Sequence, residues 1–334
     1  MGMKGLVLTE KGRPPHWQEV PDPRPGHGDV IVRVHAAALN HRDVWIQKGQ
    51  YAGLKYPIVP GSDGSGVVMP GPDAGAWAEK EVIINPALQW GKHAAYQDPA
   101  DFRILGLPDD GTMAEYVRVP SSNLVRKPAH LSFEEAAALP LAGLTAYRAL
   151  MTRAQVQRGE TVLITGIGGG VALFAMQFAL ALGARVYVSS GSDAKLGRAL
   201  GLGAVGGANY KNPGWVDALR GLSGGGFDVA IDGAAGDGMN DLMDLLSPGG
   251  RLVLYGATQG NPSAVVARRI FWKQLNILGS TMGSPEDFAA MVALVDQHKI
   301  RPVVDKVFPP GEGAAAFQRM DEGLQFGKIV VKMR

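Results

Sequence analysis

The feature that most constrains the fold is a regular alternation of apolar segments with helical patterns between residues 160 and 281. The apolar segments that we interpret as strands are ETVLITG (160–166), ARVYVSS (184–190), residues 204–209, FDVAIDG (227–233), GRLVLYG (250–256) and LNILGST (275–281). Helices are predicted between them at 169–182, 193–200, 214–221 and 237–246. Apolar strands that alternate with helices form a parallel sheet that is covered on both faces. We therefore predict an α/β fold with a doubly wound parallel sheet.

The first 130 residues have a different character. Short β-rich runs at 5–9, 29–39, 66–69 and 114–120 are separated by proline and glycine, which is typical of an all-β unit of the barrel type. Ser132 and Glu135 then form the pattern of a capping box that opens a helix. Near the end of the chain, a helix is predicted at 286–298 and a strand at 327–333. A chain of 334 residues is long enough for two domains.

The composition excludes several classes of function. The chain has no cysteine, which excludes disulfides, thiolate metal sites and cysteine nucleophiles. Its net charge is +2 and it has no basic run, so we expect no nucleic-acid partner. The N-terminus is too polar for a signal peptide, and the longest apolar stretch, residues 170–184, is too short to span a bilayer. We expect a cytoplasmic protein without a membrane partner.

The strongest local motif is the glycine-rich turn ITGIGGGVA (164–172), which joins the first of these strands to its helix. Its first two glycines match the start of G-x-G-x-x-G, and the third position falls on valine. Glycine permits positive φ and lets backbone N–H groups approach a pyrophosphate at a helix N-terminus. The turn therefore predicts a dinucleotide site that includes Gly166, Gly168, Gly169, Gly170 and Val171.

The end of the following strand favours NADP(H) over NAD. An NAD site usually has an acidic residue there, which binds the ribose hydroxyls. This strand instead ends in serines, and the nearest acid, Asp193, is expected to cap the next helix. Lys195 and Arg198 follow and can neutralise a 2′-phosphate, although a plain turn with a solvated helix face is the alternative. We predict NADP(H) as the cofactor, with Ser190 and Lys195 at its phosphate.

Four further segments, together with the glycine-rich turn, resemble the medium-chain dehydrogenase/reductase superfamily of zinc alcohol dehydrogenases and quinone oxidoreductases. They are AAALNHRDVWIQKG (36–49), PIVPGSDGSGVV (57–68), ALPLAGLTAYRAL (138–150) and FGKIVV (326–331). The turn is similar to the A-x-x-G-G-V-G of the quinone oxidoreductase branch. The resemblance covers nearly the whole chain and implies a GroES-like β-barrel substrate domain, interrupted by a Rossmann cofactor domain. We assign residues 1–128 and 284–334 to the substrate domain and residues 129–283 to the NADP(H)-binding domain.

The resemblance also indicates that no metal is bound. Zinc alcohol dehydrogenases hold their catalytic zinc through a Cys, a His and a second Cys, and the matching positions here are Asn40, Ser62 and Leu141. An amide, a hydroxyl and an isobutyl group do not provide the three N, S or carboxylate ligands that such a zinc ion needs. The four-cysteine structural zinc lobe is missing as well, because residues 85–110 contain no cysteine.

Without a Lewis acid, alcohol oxidation has no means of lowering the pKa of the substrate hydroxyl. Reduction of an activated acceptor remains feasible, because NADPH carries the hydride and the protein supplies orientation and a polar environment. The sequence thus predicts a zinc-independent, NADPH-dependent oxidoreductase that reduces a quinone or another α,β-unsaturated carbonyl. Two alternatives stay open: an NADPH-binding protein with little turnover, and a zinc alcohol dehydrogenase. The resemblance further implies a homodimer or homotetramer.

The resemblance assigns roles to individual residues. Asn40 and Thr145 are expected beside the nicotinamide, and His41 at the cofactor phosphate or ribose. Trp45 stands where this branch often has Tyr; because indole is a poor acid, we interpret it as an aromatic wall for a flat substrate. Asn40, Trp45 and Thr145 are the catalytic candidates; a turn asparagine, a surface histidine, a core tryptophan and a helix threonine are the alternative interpretations. Further cofactor-binding candidates, at strand ends and in the C-terminal segment, are Tyr210, Tyr255, Gly256, Ala257, Gly279, Ser280 and Lys328.

Overall fold

The structure, a computed structural model, describes residues 2–334. The strands are β1 (Met3–Val7), β2 (His16–Val20), β3 (Asp29–Ala38), β4 (Asp63–Val68), β5 (Glu81–Ile84), β6 (Ala87–Leu88), β7 (Arg103–Ile104), β8 (Tyr116–Pro120), β9 (Leu124–Arg126), β10 (Thr161–Ile164), β11 (Arg185–Ser190), β12 (Gly206–Asn209), β13 (Phe227–Asp232), β14 (Leu246–Leu254), β15 (Asn276–Gly279), β16 (Val304–Phe308) and β17 (Lys328–Lys332).

The α-helices are α1 (His41–Gln47), α2 (Phe133–Ala138), α3 (Pro140–Tyr147), α4 (Gly170–Ala181), α5 (Asp193–Gly201), α6 (Trp215–Ser223), α7 (Gly238–Leu245), α8 (Ala267–Lys273), α9 (Pro285–Gln297) and α10 (Gly313–Asp321). Short 3-10 turns lie at Gly75–Trp77, Ser121–Asn123 and Pro310–Glu312, and a π-helical segment at Arg148–Ala154. No helix within residues 2–334 has the length and apolar character that a membrane crossing requires.

The chain divides into two compact units. The first contains Met1–Leu144 and Gly283–Arg334, and the second contains Thr145–Met282. The second unit is therefore inserted between two segments of the first.

A seven-stranded sheet organises the first unit. Its order is β16-β17-β3-β4-β5-β9, and β8 also pairs with β3. The alternating sequence of β3 turns Val30, Val32 and Val34 into the core. The first half of β3 pairs with β8 and its last residues pair with β17, both antiparallel. Beyond the end of β3, the Leu39 N–H donates to the Ile329 carbonyl at 2.9 Å, so the start of β17 lies beside the turn that leads into α1.

A six-stranded parallel sheet forms the second unit, in the order β12-β11-β10-β13-β14-β15. Counted within the unit, this is the strand order 3-2-1-4-5-6 of the doubly wound dinucleotide-binding fold, with its topological switch point between β10 and β13. Apolar side chains of the strands and helices, among them Leu163, Phe227 and Leu252, form its core. The predicted α/β class is confirmed.

The structure moves the first domain boundary. We predicted that the cofactor domain begins at residue 129, whereas the second unit begins at Thr145. The reason is helix α2, whose Ala137 and Ala138 pack with Ala36, Ala38 and Val330 of the first unit's sheet. The second boundary, expected at 283/284, lies at 282/283.

Candidate active site

The turn between β3 and α1 positions the first group of candidates. Asn40 has an extended backbone conformation, and the helix begins at the next residue. The Asp43 carboxylate folds back, with Oδ2 accepting from the Asn40 N–H at 2.8 Å and Oδ1 from the Gly61 N–H at 3.3 Å. Burial raises the pKa of Asp43, and the positive charge of Arg42 partly offsets that effect. Asp43 therefore fixes the turn, while the Asn40 side chain makes other contacts.

Those contacts form a buried polar cluster, which we call the Asn40–Asp63–Lys328 cluster. The Lys328 ammonium donates to Asn40 Oδ1 at 2.7 Å and to Asp63 Oδ2 at 2.8 Å. Asn40 Nδ2 donates to the same Asp63 oxygen at 2.9 Å, and the Leu141 N–H donates to Asp63 Oδ1 at 2.7 Å. All three side chains are buried. Such mutually bonded polar groups hold one another in a single geometry.

A second cation lies two residues from Asn40. The Arg42 side chain is buried, and its Nη1 donates to Ser62 Oγ at 2.7 Å and to the Leu105 carbonyl at 2.8 Å. The Tyr51 ring lies 5.0 Å from the Arg42 guanidinium carbon, so the two groups form a cation–π contact. Ser62 immediately precedes Asp63 in the sequence. The residue that Arg42 contacts is therefore the chain neighbour of a member of the Asn40–Asp63–Lys328 cluster.

The outer face of α1 carries His41 and Trp45. These residues are four apart, which places them on the same helix face, and their ring centroids are 6.1 Å apart. His41 is exposed and Trp45 is half-buried. The side chain of Trp45 is thus available to a flat molecule on that face, but its role as a substrate wall stays a prediction.

The glycine-rich turn joins β10 to α4 as the sequence predicted. Gly166 and Gly168 have φ of 63° and 117°, a region that side chains with a Cβ rarely adopt. The Ile167 N–H donates to the Ser189 carbonyl at 2.9 Å, which ties the turn to β11. Helix α4 begins at Gly170 after Gly169 as its N-cap. Its first amides lack helical acceptors, as in any helix, so the turn fits a pyrophosphate.

The end of β11 carries hydroxyl groups and no acid. Ser190 is buried; its Oγ donates to the Ile167 carbonyl at 3.4 Å and accepts from the Ser192 N–H at 3.3 Å. The expectation that Asp193 caps α5 is wrong: Ser192 is the N-cap and accepts from the Lys195 N–H at 3.4 Å. Asp193 instead accepts from the Asn209 side chain at 2.9 Å.

One cation at this edge, Lys211, is not among the residues predicted from the sequence. A Cβ on Gly191 would lie 2.7 Å from the Tyr210 hydroxyl and 2.8 Å from Lys211 Cε, so both side chains pass directly over this glycine. Lys195 is half-buried and Tyr210 is exposed. The sequence could have pointed to Lys211, because this residue directly follows the predicted cofactor-binding residue Tyr210 after β12.

The remaining cofactor candidates follow the carboxyl ends of β14 and β15, which is the edge where doubly wound folds bind ligands. Tyr255, Gly256 and Ala257 follow β14; burial and the charge of Asp232 raise the pKa of the Tyr255 phenol. Gly279 ends β15, and the Oγ of the following Ser280 is buried without a hydrogen-bond partner. Thr145, also a candidate, is buried in α3.

Comparisons with known proteins agree with this architecture. Residues 26–129 match the alcohol dehydrogenase GroES-like domain, and residues 170–297 match the zinc-binding dehydrogenase family. A zinc-type alcohol dehydrogenase-like protein of Leptosphaeria maculans is 36% identical, with 94% of this chain and 93% of that protein covered. The chain belongs to the medium-chain dehydrogenase/reductase superfamily. Another member, quinone oxidoreductase-like protein 2 of Rattus norvegicus, is 30% identical over 99% of this chain and 92% of its own length.

A crystal structure of an NAD-dependent alcohol dehydrogenase from the same superfamily superimposes with a TM-score of 0.93. Its sequence is 39% identical, and the superposition covers 99% of this chain and all of that one. The fold predicted from the resemblance, a GroES-like unit and a Rossmann unit, is therefore confirmed.

The superfamily includes zinc enzymes, but the residues of this member do not fit a zinc ion. The Asn40 amide is bonded to the Lys328 ammonium, and the Ser62 hydroxyl to the Arg42 guanidinium. Leu141 offers only its backbone N–H, which Asp63 accepts. Within residues 2–334, no three His, Cys, Asp or Glu side chains are grouped so that they could hold a metal ion. Two cations bonded to these positions repel a third, and the neutral groups there are poor zinc ligands.

Within the first unit, the structure brings together two of the predicted residues, Asn40 and Lys328, and adds Asp63, Arg42 and Ser62. The sequence analysis noted Ser62 only as a lost metal ligand and assigned no role to the other two. The signal was present in the segments NHRD (40–43) and PGSDG (60–64), but only the pairing of β3 with β17 shows that Lys328 reaches both.

Proposed function

We propose that this chain is a zinc-independent, NADPH-dependent oxidoreductase that transfers a hydride to a quinone or another α,β-unsaturated carbonyl compound. The observation that carries the proposal is the pair of cations, Lys328 and Arg42, bonded to the side chains at two of the positions where the resemblance places zinc ligands. Charged hydrogen-bond donors of this kind suit an acceptor that gathers negative charge on oxygen during reduction.

The choice of NADPH rests on the edge formed by β11 and β12. Ser190 leaves no carboxylate to repel a 2′-phosphate. Lys211 passes over Gly191, and Lys195 lies in the first turn of α5, four residues along the chain from that glycine. When bound, the nicotinamide supplies the hydride. By the resemblance, the glycine-rich turn would hold the pyrophosphate, and Asn40 and Thr145 would orient the nicotinamide. The Asn40–Asp63–Lys328 cluster fixes the Asn40 amide for that purpose.

The test is a panel of acceptors and donors measured with both cofactors. We expect oxidation of NADPH, faster than of NADH, by quinones and enones such as 1,4-benzoquinone and methyl vinyl ketone. Primary alcohols offered with NADP⁺ or NAD⁺ are expected to be inert. Binding of NADPH without its consumption by any acceptor would favour the binding-protein alternative, and metal-dependent alcohol oxidation would favour the zinc alcohol dehydrogenase.

A homodimer or homotetramer and a cytoplasmic location stay predictions. Analytical ultracentrifugation of the purified protein tests the first, and fractionation of the source cells tests the second.

A further inference from the structure

Arg42 has a hydrogen-bond donor that its surroundings do not use, although its charge acts on the neighbouring Asp43 carboxyl. Its side chain is 5% exposed, and an arginine remains charged at any physiological pH. Nη1 has two acceptors, whereas Nη2 is buried and has no hydrogen-bond partner. Nε lies 3.4 Å from the Tyr51 hydroxyl, a long contact. None of the ion pairs formed by residues 2–334 includes Arg42. A buried cation with spare donors is costly unless some oxygen occupies them.

The position of this guanidinium points to what that oxygen is. Arg42 is bonded to Ser62, which stands where the resemblance places a metal ligand. Lys328, the other cation nearby, already donates to Asn40 and Asp63. Arg42 differs from it in having a whole charged nitrogen, Nη2, that is buried with no acceptor.

We propose that Arg42 Nη2 is an oxyanion site, which donates to the carbonyl oxygen of the acceptor and stabilises the negative charge that develops there. This inference rests on the proposed function and adds the residue that performs the electrostatic part of the reaction. In zinc-type relatives, by the resemblance, that part belongs to the metal; here a guanidinium would perform it.

The chemistry balances with the groups named. The hydride, with its electron pair, forms a C–H bond at the β-carbon of the acceptor, and the nicotinamide is oxidised. The C=C π electrons move into the enolate, whose oxygen accepts the N–H of Arg42. Water then protonates the α-carbon, so Arg42 stays protonated throughout. A hydrogen-bond donor aimed at a developing oxyanion contributes about 10²–10³-fold to turnover.

Tyr51 is the aromatic side chain that packs on this guanidinium. Its ring covers one face of the guanidinium, and the side chain is half-buried on the segment between Gly49 and Gly53, both at positive φ. The ring is held by the cation–π contact and the long contact with Nε. An acceptor that approached the guanidinium from this face would have to displace the Tyr51 ring.

The experiment uses 4-nitrophenol as a probe, because its phenolate resembles an enolate and its ionisation is visible by absorbance. With the wild-type protein saturated with NADP⁺, we expect the bound probe to ionise at lower pH than the free probe. We also expect the phenolate to bind at least tenfold more tightly than 4-nitroanisole. Arg42→Gln, which keeps a donor for Ser62 but no charge, is expected to lose both effects and to lower kcat for an enone about a hundredfold.

Arg42→Lys retains a charge and is expected to give intermediate phenolate affinity. Arg118→Gln, which removes an exposed arginine of the same unit, is the matched control and should change neither readout. The proposal is overturned if the wild-type protein binds the probe without favouring its anion, which needs no variant to observe. It is also overturned if Arg42→Gln keeps wild-type phenolate affinity and kcat.

The two hypotheses fail separately. Wild-type protein that captures the phenolate through Arg42 but reduces no enone would refute the proposed function and leave the oxyanion site standing. Enone reduction that is insensitive to Arg42 would do the reverse.

Discussion

At the scale of residues, the first unit contains several charged side chains that are buried. Asp63 and Lys328 form an ion pair of 2.8 Å whose side chains are 0% and 4% exposed. Moving two charges out of water costs nearly as much as their attraction returns, so such a pair adds little net stability. Removing one partner is different, because it leaves an uncompensated charge in the interior.

We therefore expect Asp63→Asn and Lys328→Met each to destabilise the first unit by about 3–5 kcal/mol. The double variant should be less destabilised than either single variant, because no orphan charge remains. Urea unfolding followed by tryptophan fluorescence measures the three differences. The exposed pair Lys299 and Asp296 provides the control cycle, with effects expected below about 1 kcal/mol. Strictly additive effects at Asp63 and Lys328 would show that the two groups are not coupled.

The cations at the edge of the second unit make a prediction about cofactor choice. A charge-assisted hydrogen bond to phosphate is worth about 1.5–3 kcal/mol, so Lys195→Ala and Lys211→Ala should each raise the KM for NADPH about tenfold or more. The KM for NADH should hardly change, since it has no 2′-phosphate. Steady-state kinetics with both cofactors decide the matter, with Arg220→Ala on α6 as a control. Equal increases in the KM for NADPH and for NADH would show that neither lysine contacts the 2′-phosphate.

At the scale of elements, the packing of helix α2 on strand β3 makes the stability of the protein depend on pH. His35 of β3 stacks on Phe133 of α2, with ring centroids 4.1 Å apart. Burial lowers the pKa of His35, and the charges of Arg33 and Arg334 lower it further. The folded pKa thus lies below the unfolded one, so the neutral ring stabilises the fold above the unfolded pKa. That contribution is lost as the pH falls through the folded value.

We expect the Tm of the wild-type protein to fall between about pH 7 and about pH 5 by more than that of His35→Phe, which keeps the stack but cannot titrate. Differential scanning calorimetry at both pH values gives the comparison. His16→Phe, at an exposed position of β2, should show the wild-type dependence. If the Tm of His35→Phe falls between these pH values by as much as that of the wild-type protein, protonation of His35 does not contribute to the pH dependence.

Much of the element pattern could be read from the sequence, because β10 to β15 are apolar runs bounded by turn residues. Helix α4 and strand β11 lie within a residue or two of their predicted ends. Helices α1, α8 and α10 and strand β16 were not predicted. Helices α1 and α8 have seven residues each, too few for a periodic pattern to stand out. Strand β16 gains its partner, β17, only through pairing in the folded chain.

At the scale of the whole molecule, the site could be predicted only in part. The glycine-rich turn is local, so its sequence was sufficient to find it. The Asn40–Asp63–Lys328 cluster joins residues 265 and 288 positions apart, and no local pattern shows that they meet. The resemblance pointed to the segments involved, but the partner of each side chain required the sheet order. Lys211 is a different case: its neighbour Tyr210 was a candidate, but only the structure shows that Lys211 approaches Gly191.

The absence of zinc ligands has a consequence for the whole protein. We expect purified protein to contain far less than one zinc per chain, and EDTA or 1,10-phenanthroline to leave both its activity and its Tm unchanged. Elemental analysis by mass spectrometry, run beside a zinc alcohol dehydrogenase as a positive control, provides the measurement. Stoichiometric zinc that leaves together with the activity would refute the zinc-independent function.

Because Lys328 lies on the last strand, the members of the polar cluster are synthesised at very different times. Asp63 leaves the ribosome 265 residues before the ammonium that will pair with it. At the usual pace of about 5–20 residues per second, this gap lasts on the order of 10–50 s. The glycine-rich turn is made part-way through this interval, and the second unit is complete at Met282. The polar cluster can form only after that, when β17 pairs with β3.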